Sequence, residues 1–579
     1  MKKLFAMFVV VALAFGIVAC NGDVEANTLR WNIGADPLTI DPTLNGASDG
    51  GDVINQTFEG LVREINGVVY PGIAESWETS TDGKTVTFTL RESNWSDGTP
   101  LTAADFVYSW VRGMNPNTAS EYAWIWEYTN VVGSMDLAFW TDVCDNVTED
   151  CNEYDDDGAL VGTDYSDLKD DTTGKTVAEA IALVGVKALD DLTLEVKLVN
   201  PTAYFVSLMA FYHFMPVKQS AVEAVGGADG LWAKKPDLVV SNGPFVLTEY
   251  TAGEGLRLEK NEEYWNEKEV YLSAIEGEFV DLETTAYAKY NAGEYDFIPS
   301  VPSVMIPDLV ALSEEFYVYP LLGTYYYSFN LDKVEWANAN LRKAMALAVN
   351  RQAICDALSA GQLPATGFVP AGFMDNEGKD FSAESGNYGI ATDDAAQTQA
   401  VALFATAAGE MGKTVAELQA YLDGKVILYN TSEGHKMVAE MVQEDWKSVL
   451  GIELTLQNQE WAVFQDTRKA GNFDVARGGW LTDFMDPAGL LAIFTTGNAY
   501  NDPKYEVEAY DTLLSESQAT TDMAVHFAKL YQAQDMLMAA MPIVPIYYYS
   551  DVMMAKSYLV NWGRSVLGSV DFTHAKLEK

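Results

Sequence analysis

From Val426 onward the chain alternates runs that suit strands with runs that suit helices, and this order restricts the fold more than any other feature of the sequence. Val426 to Tyr429 reads as a strand, His435 to Leu450 as a helix and Ile452 to Gln457 as a strand. Trp461 to Ala470 then reads as a helix, and Phe473 with Val475 as a short half-buried strand. Strands separated by helices build a parallel or mixed sheet, and ligands settle at the strand ends of such sheets. The last strand is expected to run through Gly478-Gly479 into a turn ended by Asp486-Pro487.

That last stretch, F-D-V-A-R-G-G-W-L-T-D-F-M-D-P from Phe473 to Pro487, gathers varied chemistry in little chain. It offers a guanidinium (Arg477), two peptide units without side chains (Gly478, Gly479), an aromatic wall (Trp480) and a carboxylate (Asp483). Such a set can hold an extended peptide by its ends and backbone. The competing reading is plainer: an Asp before a Pro capping its own turn, and an Arg on a solvated face.

The N-terminus reads as an export signal. Lys2-Lys3 precede an apolar run, Leu4 to Ile17, too short to span a bilayer. Ile17-Val18-Ala19-Cys20 resembles a lipobox, which makes residues 1–19 a removed signal and Cys20 a lipidated first residue, with 20–30 as a polar tether. The processed chain then has 34 basic and 84 acidic residues, a formal charge of −50. Such a field excludes nucleic acid and anionic lipid as partners, and reads as a strongly hydrated surface. Its length exceeds one core and predicts two or three lobes. Of the 4 cysteines, Cys144 and Cys151 lie in an acidic stretch of an oxidising compartment and suggest a local disulfide, and Cys355 falls on an amphipathic helix as a small hydrophobe. With 4 His and no C-x-x-C, neither a metal site nor a cofactor is expected.

Along the chain, Leu29 to Ile33 alternates like an edge strand, and Glu64 to Tyr70 carries an Asn-Gly turn between apolar runs. Thr85 to Leu90 is a strand and Thr102 to Val111 a helix behind a Thr cap, so this part is α+β. Residues 133–176 form an acidic excursion; Asp155, Asp156 and Asp157 could supply calcium ligands, but the spacing is not that of an EF-hand and a solvated loop is favoured. Val186 to Val199 reads as a hairpin, Thr202 to Tyr212 as an aromatic helix, Thr284 to Ala292 and Leu341 to Leu358 as helices. Tyr317 to Asn330 suggests a long strand crossing between lobes, Ile543 to Tyr549 a returning one, and Asp551 to Lys579 the completion of the first lobe's sheet. Two lobes joined by returning strands imply a hinge that closes on a ligand.

Several motifs carry a resemblance: F-E-G-L (Phe58 to Leu61), Trp95 to Trp110, N-P-N-T-A-S (Asn115 to Ser120), N-G-P-F (Asn242 to Phe245), T-Y-Y-Y (Thr324 to Tyr327), Leu428 to Lys436, N-Q-E-W (Asn458 to Trp461), D-T-R (Asp466 to Arg468) and the Phe473 stretch. Collinear from about Trp31 to the C-terminus, they resemble the oligopeptide-binding proteins of ABC importers, the OppA type of extracytoplasmic solute-binding protein. The resemblance implies a mixed α/β, periplasmic-binding-protein-like type II fold with two hinged lobes and a small additional α+β domain. Lobe I is expected from 31–58, 220–322 and 551–579, the small domain from 59–219, and lobe III from 323–550. It also implies a monomer outside the cytoplasm, with short peptides and the permease subunits of an ABC transporter as partners and its lipid anchor in the membrane.

Residue by residue, the resemblance assigns Asp483 to a ligand's α-ammonium, Gly479 and Leu481 to backbone pairing, Trp461 and Trp480 to pocket walls, and Tyr122 to a position along the ligand. Arg477, His435 and Arg468 match cationic positions for the carboxylate end, and Tyr326 and Ser48 count among the contacts. The chain departs from the pattern at Ser359, where members place a lysine, and at Gly323 and Leu481, where some place a cysteine pair. The same fold also serves dipeptides, metal chelates and oligosaccharides, which stay open as ligands. Gly46-Ala47-Ser48-Asp49-Gly50 satisfies the G-x-S-x-G of hydrolases, but its surroundings read as a flexible binding loop rather than a strand-to-helix elbow, so a tethered serine hydrolase is the remote competitor and no enzyme is expected.

Overall fold

A computed structural model describes residues 27–579 apart from 66, 121, 139–151, 155–159, 164–172, 225–231, 460, 483, 499 and 521. The signal segment, Cys20, Cys144, Cys151 and the Asp155 to Asp157 run lie outside the described residues.

One eleven-stranded sheet serves both lobes. Ten of its strands are β1 (Thr28–Asn32), β2 (Phe245–Thr251), β3 (Gly255–Lys260), β4 (Ala274–Glu278), β5 (Phe297–Ile298), β6 (Phe316–Phe329), β7 (Val426–Asn430), β8 (Thr455–Gln459), β9 (Val475–Leu481) and β10 (Ile543–Ala555). They lie in the order β2-β3-β4-β1-β5-β10-β6-β9-β7-β8, and Leu363–Pro364 also pairs with β10. The spatial order departs from chain order because β6 and β10 are long enough to belong to both lobes.

β1 is not an edge strand. It runs parallel between β4 and β5, with Leu29 and Trp31 fully buried. Its alternation reflects Arg30, which leaves the core by donating from Nη2 and Nε to Asp296 at 2.6 and 3.1 Å. This strand begins at Thr28, inside the stretch assigned to the tether.

β9 also continues further than expected, through Gly478 and Gly479 to Leu481, in antiparallel register with β6 from Gly323↔Leu481 to Phe329↔Val475. The glycines keep the strand going because a Cβ at Gly478 would strike the Tyr326 ring and one at Gly479 the Tyr549 hydroxyl. The helix expected over Leu341 to Leu358 breaks into Ala339–Ala348 and Arg351–Leu358. Asn350 caps the second piece by accepting from the Ala353 N–H at 3.0 Å, while buried Arg351 donates to the Pro545, Val349 and Ala346 carbonyls. Cys355 lies buried on that helix, its thiol pushed up to about 12 by burial.

The smaller α+β part packs a four-stranded sheet, in the order Ala74–Thr79, Thr85–Leu90, Thr193–Lys197, Val186–Asp190, against helix Ala103–Met114. The Thr102 N–H donates to Asp105 Oδ2 at 2.8 Å at that helix's start. Within the acidic excursion, Asn152–Tyr154 and Leu160–Thr163 pair as a hairpin. The aromatic run after Thr202 yields only Phe205–Leu208 and a short 3-10 turn, Tyr212–Phe214, since bulky aromatic side chains are modest helix formers. Beyond Ala555 the chain does not extend the main sheet but forms two small ladders, Leu559–Val560 with Lys576–Leu577 and Gly563–Arg564 with Val570–Asp571.

Candidate functional site

The site is built where β6, β9 and β10 lie side by side in the second lobe. Period-two alternation sends Arg477 and Gly479 to one face of β9, and Gly478 and Trp480 to the other. On the first face the Arg477 guanidinium lies 4.9 Å over the Tyr325 ring, and Nη2 donates to Tyr549 Oη at 3.0 Å. Tyr547 stacks on Tyr325 at 4.6 Å, and the His435 ring stands 5.5 Å from it. Arg477 Nε is buried with no hydrogen-bond partner among the described residues. Burial and the Arg477 charge hold His435 down at about 4, so at neutral pH it is an uncharged imidazole and not a second cation.

The edge of β9 is the other half of the site. One edge pairs with β6 along its whole length, while the other meets β7 only at Val475 and Ala476. From Arg477 to Leu481 no strand among the described residues pairs with that second edge, and of these residues only Gly478 is buried. Leu481 is half exposed there. Trp480, on the opposite face, is fixed by its Nε1 donating to the Gly489 carbonyl at 2.9 Å and by Tyr500 at 4.6 Å.

Three assigned residues sit differently from expectation. Tyr326 is buried against Phe368 and Phe494 beneath Gly478, so it belongs to the core; its neighbour Tyr325 carries the site, because a shift of one residue along a strand changes the face. Arg468 is committed to buried Asp502 at 3.0 Å and donates to Gln465 at 2.6 Å, which takes it out of the cationic set. Ser48 opens helix Ser48–Thr57 rather than lying in a flexible loop, and the strand before it, β1, ends at Asn32 well short of the serine, so the hydrolase elbow lacks its first half. Ser48 lines a cavity with Phe211, Tyr212 and Arg63, and Tyr122 packs on Phe211 at 5.2 Å. The floor of that cavity includes Asp52, whose carboxyl burial pushes up to about 7. Ser359 ends its helix in a left-handed conformation and brings no charge.

Asp483 and the Trp461 side chain lie outside the described residues. The neighbours of Asp483 are well placed: Thr482 donates its N–H to the Leu322 carbonyl at 2.9 Å, and Phe484 stacks on Tyr204 of the small α+β part at 4.5 Å and stands 5.6 Å from Tyr128.

Residues 68–502 match the model of the bacterial extracellular solute-binding proteins, family 5. The chain belongs to that family. The oligopeptide-binding protein OppA of Bacillus subtilis is 33% identical over 97% of this chain and 96% of its own, and the periplasmic OppA of Escherichia coli 32% over 96% and 95%. Among solved structures, the murein tripeptide binding protein MppA in its unliganded open form matches with a TM-score of 0.76 at 29% identity, covering 96% of this chain and 98% of that one. Haemophilus influenzae OppA in complex with the peptide RPPGFSPFR matches at 0.67 and 31% identity, over 96% and 99%. The mixed α/β architecture of this solute-binding protein is thus the type II form of its family. The sequence does not single out Tyr325, Tyr547 and Tyr549, because the successive tyrosines of T-Y-Y-Y and I-Y-Y-Y do not mark which of them share a face.

Proposed function

We propose that this solute-binding protein captures short unblocked peptides between its lobes by hinge closure and passes them to the permease of an ABC importer, held at the membrane by lipid on Cys20. The observation that carries the reading is the edge of β9 left without a partner strand, among the described residues, beside the Arg477 guanidinium. A peptide added there as a strand gains main-chain hydrogen bonds whatever its side chains, and its carboxylate can meet Arg477. Asp483 supplies the opposite charge for the α-ammonium, and the proteins similar to this one include two named for oligopeptide binding. The charged termini of a peptide suit this pair better than a neutral sugar does.

Calorimetry with a mixture of unblocked tri- to pentapeptides tests the reading. Heat of binding that disappears when both peptide ends are blocked is expected; binding of a sugar or a metal chelate alone would replace it. For the anchor, labelled fatty acid should enter the wild type and be absent from Cys20→Ala, and equal labelling would reject the lipid. Cys144 and Cys151 are proposed as a disulfide, which non-reducing peptide mapping would refute by finding two free thiols.

A further inference from the structure

The turn that follows β9 is fastened by one histidine. His526 lies in the first turns of helix Met523–Ala540 and is fully buried. Its Nδ1 is 2.8 Å from the Ser517 carbonyl and its Nε2 is 2.8 Å from Asp486 Oδ2. A carbonyl and a carboxylate only accept hydrogen bonds, so this setting suits a ring with protons on both nitrogens, an imidazolium. Burial opposes that charge; the Asp486 carboxylate and the two hydrogen bonds outweigh it and raise the ring's proton affinity above the ordinary histidine value.

The groups around the ring come from every side. Asp486 is the charged one and comes from the turn, Ser517 brings a carbonyl from helix Glu508–Gln518, and Phe527 packs at 5.2 Å from the ring's own helix. Beyond Asp486 lies the buried Tyr204 phenol, whose ionisation burial pushes far up. Lys529 and Glu516 pair with each other across the same two helices.

Asp486 organises the turn in its own right. Its Oδ1 accepts from the Ala488 N–H at 2.9 Å, its N–H donates to the Phe484 carbonyl at 2.8 Å, and its carbonyl accepts from the Gly489 N–H at 3.0 Å. The same Gly489 holds Trp480. Losing the second ring proton would turn Nε2 into an acceptor facing a buried carboxylate, an unmade bond in a dry place.

We propose that His526 is a positioning residue of the ligand site: its doubly hydrogen-bonded imidazolium holds the 482–489 turn in its binding shape, and ligand affinity falls when the ring loses its second proton. This rests on the peptide reading, since that turn includes Asp483. The sign follows from linkage: a histidine whose proton is held more tightly in the folded state contributes fully below its ordinary value, about 6.5, and the contribution is lost as pH rises through the folded value.

The test uses the whole chain and three proteins, wild type, His526→Gln and His526→Arg. Ring nitrogen-15 resonances of the 4 histidines, with His526 identified by its absence in the variants, should show two protonated nitrogens at pH 6; a singly protonated His526 ring overturns the inference without any mutant having to fold. Calorimetry with the tri- to pentapeptide mixture follows affinity from pH 6 to 9.5. The peptide's own ammonium titrates there too, so the informative quantity is the ratio of wild type to His526→Arg, whose charge persists; it should fall roughly tenfold or more, while His526→Gln should be weaker by about tenfold to hundredfold at pH 6. A constant ratio overturns the inference. If no peptide binds to any of the three, the peptide reading has failed instead, and exchange of the Ala488 and Gly489 amides still decides the positioning role: faster exchange in His526→Gln and at high pH supports it, and unchanged exchange rejects it.

Discussion

The two strands that cross between the lobes differ along their own length. In the first lobe Phe316 to Pro320 pairs with Ser550 to Met554 on one edge only, and its side chains are partly exposed. In the second lobe Thr324 to Ser328 is held on both edges, by β10 and by β9, and is buried without a break. The register with β10 slips between Pro320 and Thr324, at the junction of the halves, and again between Tyr325 and Tyr326, where the pairing with β9 on the other edge stays unbroken. A strand gripped on both edges keeps its side chains in fixed rotamers, and Tyr325 and the Arg477 beside it hang there. A strand gripped on one edge, next to a register shift, absorbs dihedral change at low cost. The strands thus separate a half held on both edges, where the proposed site lies, from a half held on one edge.

Breaking the half held on both edges, at its binding end, carries the largest expected effect. If Asp483 holds the ligand's ammonium in a closed, dry cleft, Asp483→Ala leaves that charge buried alone and costs about 3 to 5 kcal/mol of binding, on the order of a hundredfold to a few thousandfold. Acetylating the peptide's N-terminus removes the same pair from the other side, so the two losses should not add. A calorimetric cycle over both proteins and both peptides measures this; simple additivity would make Asp483 a turn-capping residue.

Gly478→Ala comes next and acts on stability. Its Cβ would enter the Tyr326 ring, which Phe368 and Phe494 confine, and overpacking there should cost about 1 to 3 kcal/mol. Urea unfolding reads it, and an unchanged midpoint would mean that the half held on both edges yields. Pro320→Gly, in the half held on one edge, loosens a backbone paired there only with Ser550 of β10 and should cost only about 0.4 to 1 kcal/mol, with peptide affinity moving by a few fold at most. A loss as large as that of Gly478→Ala would erase the distinction between the halves.

The sequence carried the alternation of β7, β8 and β9 with their helices, because period and turn signals are local. It could not place β1, whose partners begin at Ala274, nearly half the chain away, so five alternating residues looked like an edge. It could not choose a face for Thr324 to Tyr327, since three successive tyrosines leave the period unmarked; only the pairing with Gly478 and Gly479 decides. The fate of Arg468 depends on Asp502, beyond β9 in the chain, and nothing local announces that pair. The break at Asn350 was legible, an asparagine before R-Q-A-I being an N-cap, but the apolar spacing runs through it and masked it.

The smallest effect sharpens the comparison most, because it concerns a proton rather than a fold. His435 is fixed beside Tyr325 on the half held on both edges, and burial and Arg477 hold it down at about 4. A histidine with a depressed folded value favours the neutral ring, so it weakens folding as pH falls below about 6.5, the opposite limb from His526. A peptide carboxylate arriving at Arg477 cancels part of the charge that depresses His435, and binding must then draw a proton onto the ring wherever the solution pH lies between the free and bound values. Calorimetry at pH 5 in buffers of different ionisation enthalpy should therefore show fractional proton uptake on binding, which His435→Gln abolishes and which shrinks toward zero at pH 7.5. Uptake identical in wild type and His435→Gln would mean that the carboxylate ends elsewhere, and that this half reads the peptide's backbone but not its terminus.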